Sequence, residues 1–249
     1  MKLTQDLHVH STFSDGKSTM EENLVEAQAA GLATLGMVDH VRTDTEWVRE
    51  FSAAVDAIRS ETSIELFCGV EAKILDTTGK LDIPATLPGV DYIAVADHQL
   101  PWIDETMHPA AARTQIEEGS LSANEAVEAL CSGMLGAMEF DANLLMVHPM
   151  SILPKMGLSE VDVPDSLVRE IGRSAVRNGV LFEINERWRC PSLRIAQLLA
   201  EEGVSFASST DSHRATTIGR YDYVIEIATE LGLATEELNR NRNGSLVRP

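Results

Sequence analysis

Short apolar segments alternate with helical segments along the whole chain, and this alternation restricts its fold more than any other feature. TLGMVDH is followed by EWVREFSAAVDAIRS, for example, and VLFEINER is followed by SLRIAQLLAEEG. In the second member of each pair, apolar residues recur at helical spacing. The first members are nearly continuous apolar runs, which is typical of strands buried on both faces of a parallel sheet. About seven such units predict an α/β fold with a parallel sheet.

The residues that follow the predicted helices and strands support the same fold class. Glycines stand just past several predicted helix ends, at Gly31, Gly179, Gly203 and Gly232. The strand IELFCGVEAKI is followed instead by a Gly/Pro-containing loop, TTGKLDIPATLPG. The length of 249 residues is near the roughly 250 of an eight-unit barrel, but composition alone does not separate a barrel from a doubly wound sheet. We expect one domain over residues 1–249, with 239–249 as a loosely held polar tail.

Composition and charge exclude several functions. The net charge is −19, and a field of that sign repels phosphate backbones, so we expect no duplex nucleic acid as partner. Bound cations could still invert the local sign for a small anionic substrate. No apolar stretch is long enough to span a bilayer, and MKLTQDLHVH lacks the apolar core of a signal peptide, so we expect a cytoplasmic protein. The cysteines form no CxxC pair and are expected to be buried free thiols: Cys68, Cys131 and Cys190.

Most of the histidines stand where a predicted strand ends. His8 and His10 are one residue apart on the first strand, so their side chains should share a face. At or near strand ends lie His8, His10, His40, Glu71, His98, His148, Asp211 and His213, and Asp15 lies in the loop after the first strand. This set contains six of the seven histidines, and His108 is the exception. In a barrel the C-terminal strand ends converge on one rim, so these residues would meet in one cavity.

The joint placement of these residues favours a metal centre, although each alone could be a hydrogen-bonded residue of the core. Six imidazoles and three carboxylates exceed the needs of one ion, because a catalytic zinc takes about three protein ligands. We therefore expect two or three divalent ions, with some carboxylates bridging. Nitrogen and oxygen ligands without thiolate suit Zn, Mn or Fe and do not choose among them, whereas Ca or Mg would be an odd match.

A set of short motifs, in a fixed order, is more specific than any one of them. HVH, SDG, DH, GVE, ADH, VHP and DSH occur in this order from about residue 6 to residue 213. In this order they resemble the PHP family, named for polymerase and histidinol phosphatase. The resemblance implies a distorted (β/α)7 TIM-like barrel, a trinuclear metal centre and phosphoesterase activity. The metal ligands that it implies are His8, His10, Asp15, His40, Glu71, His98, His148, Asp211 and His213.

The resemblance also suggests roles within this set. Glu71 would bridge two ions, and Glu71, Asp211 and His213 are the expected catalytic residues. Some family members have His where this chain has Asp15, which is a harder ligand. We expect in-line attack by a metal-bridging hydroxide on a small phosphate ester, because two ions roughly 4 Å apart can clamp the attacking and leaving oxygens. Histidinol phosphate, a nucleotide and a sugar phosphate all stay open as substrates.

Arginine suits a phosphate substrate because the guanidinium fork matches two phosphate oxygens. Arg187, after the strand VLFEIN, and Arg214, directly after His213, are the first candidates for substrate binding. Further cations near predicted strand ends are Arg42, Arg189, Lys73 and Lys155. For each of them a solvated surface charge is the alternative.

Several polar residues next to the expected ligands have two interpretations. They are Asp39, Asp97 and Asn185, and Glu183 lies on the same strand as Asn185. The two aspartates could orient imidazoles through their free N–H groups, or they could cap helices. Asn185 could bind a ligand or the substrate, or simply cap its strand. His108 lies in a long segment, 99–119, which could form a lid that carries a general acid, or the histidine could be solvated.

Two other functions stay open from the sequence. One is a metal-binding module without catalysis, although the complete ligand set argues against a decayed site. The other is an amidohydrolase-like enzyme that cleaves C–N bonds on a barrel with strand-end histidines. That class usually carries a metal-bridging lysine, and the nearest lysine here is Lys73, two residues past Glu71. The sequence does not indicate an oligomeric state.

Overall fold

Seven parallel strands pair side by side into a nearly closed barrel. A computed structural model of the chain describes residues 2–103 and 105–233. Its strands are β1 (Gln5–Val9), β2 (Thr34–His40), β3 (Glu65–Lys73), β4 (Tyr92–Ala96), β5 (Leu100–Pro101), β6 (Thr106–Met107), β7 (Leu144–Val147), β8 (Leu181–Asn185) and β9 (Phe206–Ser209). The barrel strands follow the order β1-β2-β3-β4-β7-β8-β9, and β5 pairs with β6 in a separate antiparallel hairpin.

The barrel closes just beyond the ends of its first and last strands. The backbone N–H of His10 donates to the carbonyl oxygen of Ser212 at 2.8 Å, and the N–H of Ser212 donates to the carbonyl of His8 at 3.2 Å. These two bonds link the segment after β9 to β1, since they bind the two edges of the sheet. The predicted distorted (β/α)7 barrel is therefore confirmed, and the alternative of an open doubly wound sheet is excluded.

Helices cover the outside of the barrel. Those in the described residues are α1 (Met20–Ala30), α2 (Val48–Arg59), α3 (Pro109–Glu118), α4 (Ala123–Ala137), α5 (Asp165–Asn178), α6 (Leu193–Glu202) and α7 (Tyr223–Glu230). Residues 74–91, all of them described, contain no helix, as the Gly/Pro-containing sequence there predicts. The predicted glycines all have positive φ just past helix ends: Gly31, Gly179, Gly203 and Gly232.

The segment 99–119 differs from the long loop that we expected. It contains the β5–β6 hairpin and the helix α3, which begins with Pro109. Proline suits the first helical turn because its fixed φ is helical and its missing N–H is not needed there. The side chain of His108 is exposed, as expected for a solvated histidine, and it accepts a hydrogen bond from the backbone N–H of Ala110 at 3.2 Å as the N-cap of this helix.

Side chains fill the interior of the barrel near the N-terminal ends of its strands. The ring of Tyr92, the first residue of β4, is buried, and its hydroxyl donates to the carbonyl oxygen of Leu7 at 2.6 Å. A Cβ atom at Gly36 would lie 2.3 Å from the Tyr92 hydroxyl, and one at Gly69 would lie 2.6 Å from its ring. The two glycines thus leave the space that this ring occupies. The interior is packed here, so a site can form only at the opposite, C-terminal rim.

Three further expectations concern the chain as a whole. The three cysteines are buried free thiols, as expected. No helix within residues 2–103 and 105–233 combines the length and the apolar character needed to cross a membrane. The expected polar tail, 239–249, lies outside the described residues.

Candidate metal centre

The rings of His8 and His10 meet at the C-terminal end of β1. Their Nε2 atoms lie 3.0 Å apart, and both residues are completely buried. The strand itself ends at Val9, and its pairing with β2 shifts register between Asp6 and Val9. The two imidazoles therefore face the same cavity, as their spacing along the strand predicts, although the strand is irregular at this end.

The carboxylate of Glu71 lies at the centre of the cluster. In the parallel register of β2 and β3, Glu71 is opposite His40, whose Nδ1 lies 2.8 Å from Oε2. The other oxygen, Oε1, lies 3.0 Å from His98 Nε2 and 2.9 Å from His148 Nε2. Burial alone would raise the pKa of Glu71, but the surrounding imidazoles, first of all that of His98, hold it well below its usual value. The carboxylate is therefore charged, and its two oxygens face different histidines.

A second set of contacts joins the ends of β1 and β9. Asp15 Oδ1 lies 3.2 Å from His213 Nε2 and 3.5 Å from His40 Nε2. Asp211 Oδ1 lies 3.3 Å from His10 Nε2 and also 3.3 Å from His213 Nδ1. The Asp15 side chain is 54% exposed, whereas that of Asp211 is 4% exposed. The cluster thus extends from the buried Asp211 to the solvent-exposed Asp15.

Three sets of these side chains offer donor atoms that lie within 4.8 Å of one another. The sets are His10, Asp15, His40 and His213; His8, His10 and Asp211; and His40, Glu71 and His98. His148 joins them through its contact with Glu71. All nine predicted ligands therefore meet at one end of the barrel.

The residues present fit divalent cations by their chemistry and by what they leave unpaired. Two buried atoms have no hydrogen bond among the described residues: His10 Nδ1, and Glu71 Oε2, which lies 2.8 Å from His40 Nδ1 but outside the geometry of a hydrogen bond. Buried polar atoms rarely stay unpaired, because their desolvation is then not compensated. Imidazole nitrogens and carboxylate oxygens without thiolate are a donor set for Zn, Mn or Fe. An ion among them would supply the missing partners.

Two of the predicted ligands have a strained backbone. His148 has φ 29° and Asp211 has φ 51°, in the left-handed region that non-glycine residues seldom adopt. Such strain persists only where the surroundings enforce it, and it clusters at functional sites. At His148 the surroundings include Ser151, whose Oγ lies 3.2 Å from His148 Nδ1 and donates to Asp97 Oδ1 at 3.0 Å. Burial would lower the pKa of His148, but the neighbouring carboxylates of Asp97 and Glu71 raise it to about 10.

The two aspartates that precede ligand histidines contact different neighbours. Asp39 accepts a hydrogen bond from the Ser11 hydroxyl at 2.6 Å and one from the Ser14 N–H at 3.1 Å. It therefore fixes the loop that carries Asp15 and orients no imidazole. Asp97 lies 3.6 Å from His148 Nδ1, so it approaches the imidazole of a neighbouring strand and not that of His98.

Strand β8 carries none of the nine predicted ligands, yet it holds two of them. The buried Glu183 contacts His8 Nδ1 through Oε1 at 2.9 Å and accepts a bond from the His148 N–H through Oε2 at 2.5 Å. Asn185 donates to the same Oε2 at 2.8 Å. The sequence signal for this role is a carboxylate that stands between two apolar residues, Phe182 and Ile184, of a buried strand. Partners of this kind fix the tautomer and orientation of a metal-binding imidazole.

Trp188 contacts the cluster although the sequence does not predict it there. Its indole Nε1 donates to Asp211 Oδ2 at 2.7 Å, and its backbone N–H donates to Asn185 Oδ1 at 2.8 Å. Lys155 Nζ lies 4.3 Å from the ring centroid. Because Oδ2 is occupied by the indole, the other oxygen of Asp211 faces the histidines. No spacing or motif in the sequence indicates this contact.

The two arginines proposed for substrate binding lie in one cavity beside the cluster. This cavity has a volume of about 760 Å³ and is lined by both Arg187 and Arg214 together with Asp211 and His213. Arg187 Nη1 lies 3.3 Å from Asp211 Oδ2 and 2.7 Å from His213 Nδ1. The side chain of Arg214 is exposed and has no ion pair with any residue in 2–103 or 105–233.

A second cavity, of about 630 Å³, lies on the other side of the cluster. Its walls include the predicted ligands Asp15, His40, Glu71 and His98, and also Phe13, Trp47, Arg42, Lys73 and His108. Lys73 Nζ lies 3.5 Å from Asp82 and 3.4 Å from the side-chain oxygen of Gln99. It is therefore held by these two residues and does not bridge the cluster as a metal-bridging lysine would.

Fold and site together define a class of protein: an α/β barrel of seven parallel strands with a cluster of imidazoles and carboxylates on its C-terminal rim. Residues 6–187, which are most of the chain, match the sequence model of the PHP domain family. The chain belongs to the PHP domain family, as its motifs predicted.

Relatives match this chain along nearly its whole length. A probable phosphatase from Clostridium acetobutylicum is 26% identical over 247 residues, covering 95% of this chain and 92% of the relative. A probable phosphatase from Vibrio vulnificus is 25% identical over 240 residues, covering 94% and 87%. The class of enzyme predicted from the sequence, a hydrolase of phosphate esters, is the class for which these relatives are named.

The fold has a counterpart among crystal structures. Histidinol phosphate phosphatase from Lactococcus lactis, in complex with zinc, L-histidinol and phosphate, superposes with a TM-score of 0.69 at 16% identity. The match covers 94% of this chain and 95% of the other. At this identity the comparison establishes the shared barrel fold.

Proposed function

We propose that this protein hydrolyses a small phosphate ester with the help of two or three divalent metal ions. The observation that carries this proposal is the meeting of nine imidazole and carboxylate side chains on one rim, around two buried atoms without hydrogen-bond partners. A phosphate dianion would otherwise be repelled by a chain of net charge −19. Cations in the cluster reverse that local sign.

The geometry supports a specific division of the ligands. Glu71 is suited to bridge two ions, because its two oxygens face different histidines. His8, His10 and Asp211 would complete one site, and Asp15, His40 and His213 would form a more exposed one. Zn, Mn and Fe all suit these donors. When bound, such ions lower the pKa of a coordinated water to about 7 and neutralise charge on the phosphate.

The chain's own residues would bind and orient the ester. Arg187, next to Asp211 and His213, is placed to hold the oxygens of the phosphate that is cleaved, since its fork can donate two parallel hydrogen bonds. Arg214 would hold another part of the substrate in the same cavity. Glu71, Asp211 and His213 are the residues that we assign to the reacting centre. No covalent intermediate on the protein is required.

The substrate classes that we considered are histidinol phosphate, a nucleotide and a sugar phosphate. The Lactococcus lactis enzyme with the same fold binds L-histidinol and phosphate, which supports a small phosphorylated partner here. A cytoplasmic location and the absence of a duplex nucleic acid partner stay predictions from composition. The contacts of Lys73 with Asp82 and Gln99 disfavour the alternative of a C–N hydrolase with a metal-bridging lysine. The following experiment distinguishes the proposed enzyme from a module that binds metal without catalysis.

The test is hydrolysis of an aryl phosphate by the protein loaded with Mn or Zn. Product release that stops on chelation and returns with added metal supports the proposal. The variant His98→Ala removes an imidazole of the cluster and should abolish turnover and lower the metal content per chain. Asn124→Ala, at an exposed position of α4, is the control and should change neither. Normal metal binding without turnover of mono- and diesters would instead support the non-catalytic module.

A further inference from the structure

The larger cavity beside the cluster carries more positive charge than one phosphate needs. Three arginines line it: Arg187, Arg214 and Arg220. Arg187 is next to Asp211, whereas neither Arg214 nor Arg220 has an ion pair within the described residues. Both guanidinium groups line the same cavity, in a chain with 39 acidic and only 20 basic residues. They indicate a site for a negatively charged group.

None of the carboxylates in the same cavity forms an ion pair with Arg214 or Arg220. The side chain of Glu186 caps the start of α7. Its oxygens accept hydrogen bonds from the backbone N–H groups of Asp222, Tyr223 and Val224 at 3.1, 3.2 and 3.0 Å. Asp211 contacts the imidazoles of the metal cluster. Of the lining carboxylates, only Asp222 has no such partner for its side chain, and it is exposed.

The backbone around this cavity holds one of the two arginines in place. Arg220 donates from Nε to the carbonyl oxygen of Thr216 at 2.5 Å. Its terminal nitrogens are left to donate to a ligand, as are those of Arg214. A carboxylate or a phosphate is the group that accepts two parallel bonds from such a fork.

We infer that the substrate carries a second anionic group, besides the phosphate that is cleaved, and that Arg214 and Arg220 bind it. This inference rests on the proposed phosphatase function and deepens it. The ester would place its reacting phosphate at the metal cluster and its carboxylate or second phosphate in the arginine-lined cavity. An alcohol with an ammonium group, such as histidinol, would be repelled there, which argues against histidinol phosphate as the substrate of this chain.

The first experiment compares three esters of the same chain length: propyl phosphate, 3-phosphooxypropionate and 3-aminopropyl phosphate. Their leaving alcohols differ mainly in charge, so the ratios of their kcat/KM values report the second group. We expect the carboxylate to raise kcat/KM about tenfold over propyl phosphate through a lower KM, as one or two charge-assisted hydrogen bonds would. The ammonium should lower it.

The variants Arg214→Gln and Arg220→Gln should each reduce this preference for the carboxylate. Arg177→Gln is the matched control, because Arg177 is also exposed and unpaired within the described residues but lies in the last turn of α5. It should keep the ratio of the parent protein. If the three esters react equally well, or if the ammonium ester is preferred, the inference is wrong while the proposed function stands. If Arg42→Gln alone removes the preference, the anion lies in the other cavity and our assignment is wrong.

A binding measurement tests the inference even if none of the esters is hydrolysed. Calorimetry on the metal-loaded protein would compare phosphonocarboxylates that have two, three and four carbons between the charges with alkylphosphonates of matched length. At least one carboxylate should bind about tenfold more tightly than its match, and Arg214→Gln should remove that gain. Equal affinity at every length would overturn the inference, whatever the outcome for turnover.

Discussion

The metal cluster has a buried half and an open half, and the two are held in different ways. The buried half consists of His8, His10, His148 and Asp211, whose side chains are 0%, 0%, 3% and 4% exposed. The open half consists of Asp15, His40, His98 and His213, whose side chains are 54%, 32%, 33% and 20% exposed. Glu71, at 1% exposed, lies between them.

Outer partners explain the difference between the halves. In the buried half, Glu183 holds His8, and Trp188 holds Asp211. In the open half, the polar side-chain contacts of His40 and His98 within the described residues are with Glu71 and Asp15. Residues outside the cluster therefore hold the buried half in place, and partners of this kind strengthen metal binding. The open half admits water and substrate, so we expect it to lose metal first when a chelator is added.

Replacement of the carboxylate that joins the two halves should have the largest effect. Glu71→Gln keeps the volume but removes the charge that faces five imidazoles. We expect turnover to fall by more than the roughly 100-fold that loss of an outer partner costs, with metal lost from both halves. Metal content per chain and kcat on an aryl phosphate are the measurements. Glu65→Gln, at the exposed start of β3, is the control, and an active Glu71→Gln protein would remove Glu71 from the site.

Removal of an outer partner should weaken metal binding in the buried half and leave metal binding in the open half nearly unchanged. In Glu183→Gln the charge next to His8 is lost, and we expect about 10-fold to 100-fold weaker binding at the tightest metal site. The exposed ions should be retained almost as in the parent protein. A titration with a competing chelator resolves the two classes. Glu170→Gln, on the surface of α5, controls for the change of charge, and equal weakening of all sites would contradict the comparison.

The sequence predicted the barrel and the cluster because both depend on regular features. Alternating segments define the units, and the C-terminal ends of parallel strands converge, so His40, Glu71 and His98 meet by topology alone. The register of β2 and β3 then places His40 opposite Glu71. The family motifs supplied the roles that spacing could not.

The rest of the site depends on irregular local geometry. The register shift in β1 between Asp6 and Val9 has no sequence signal, because the residues there follow the ordinary pattern of a buried strand. The helix α3 was missed because only Pro109 and Ala112 of it are buried, which leaves almost no apolar period. The indole of Trp188 reaches Asp211 through a turn after β8, and such a contact over 23 positions cannot be found without the fold.

Trp188→Phe tests whether the buried half needs its last outer hydrogen bond. Phenylalanine keeps a ring near Lys155 and His148 but cannot donate to Asp211 Oδ2. We expect about tenfold weaker metal binding and a matching loss of kcat at low metal concentration, with KM nearly unchanged. Excess metal should restore kcat. Trp102→Phe removes an indole from the β5–β6 hairpin as the control, and a loss that excess metal does not restore would indicate a merely structural role.

The smallest effect is expected in the open half. Asp15→Asn removes the charge of a side chain that is 54% exposed, where water and salt screen its attraction for a cation. We expect a few-fold weaker affinity at the outermost ion and little change at the ions of the buried half. The same chelator titration measures both, with Asp44→Asn in the exposed loop after β2 as the control. Weakening as large as that of Glu183→Gln would show that exposure does not decide metal affinity here, and the division into halves would then fail.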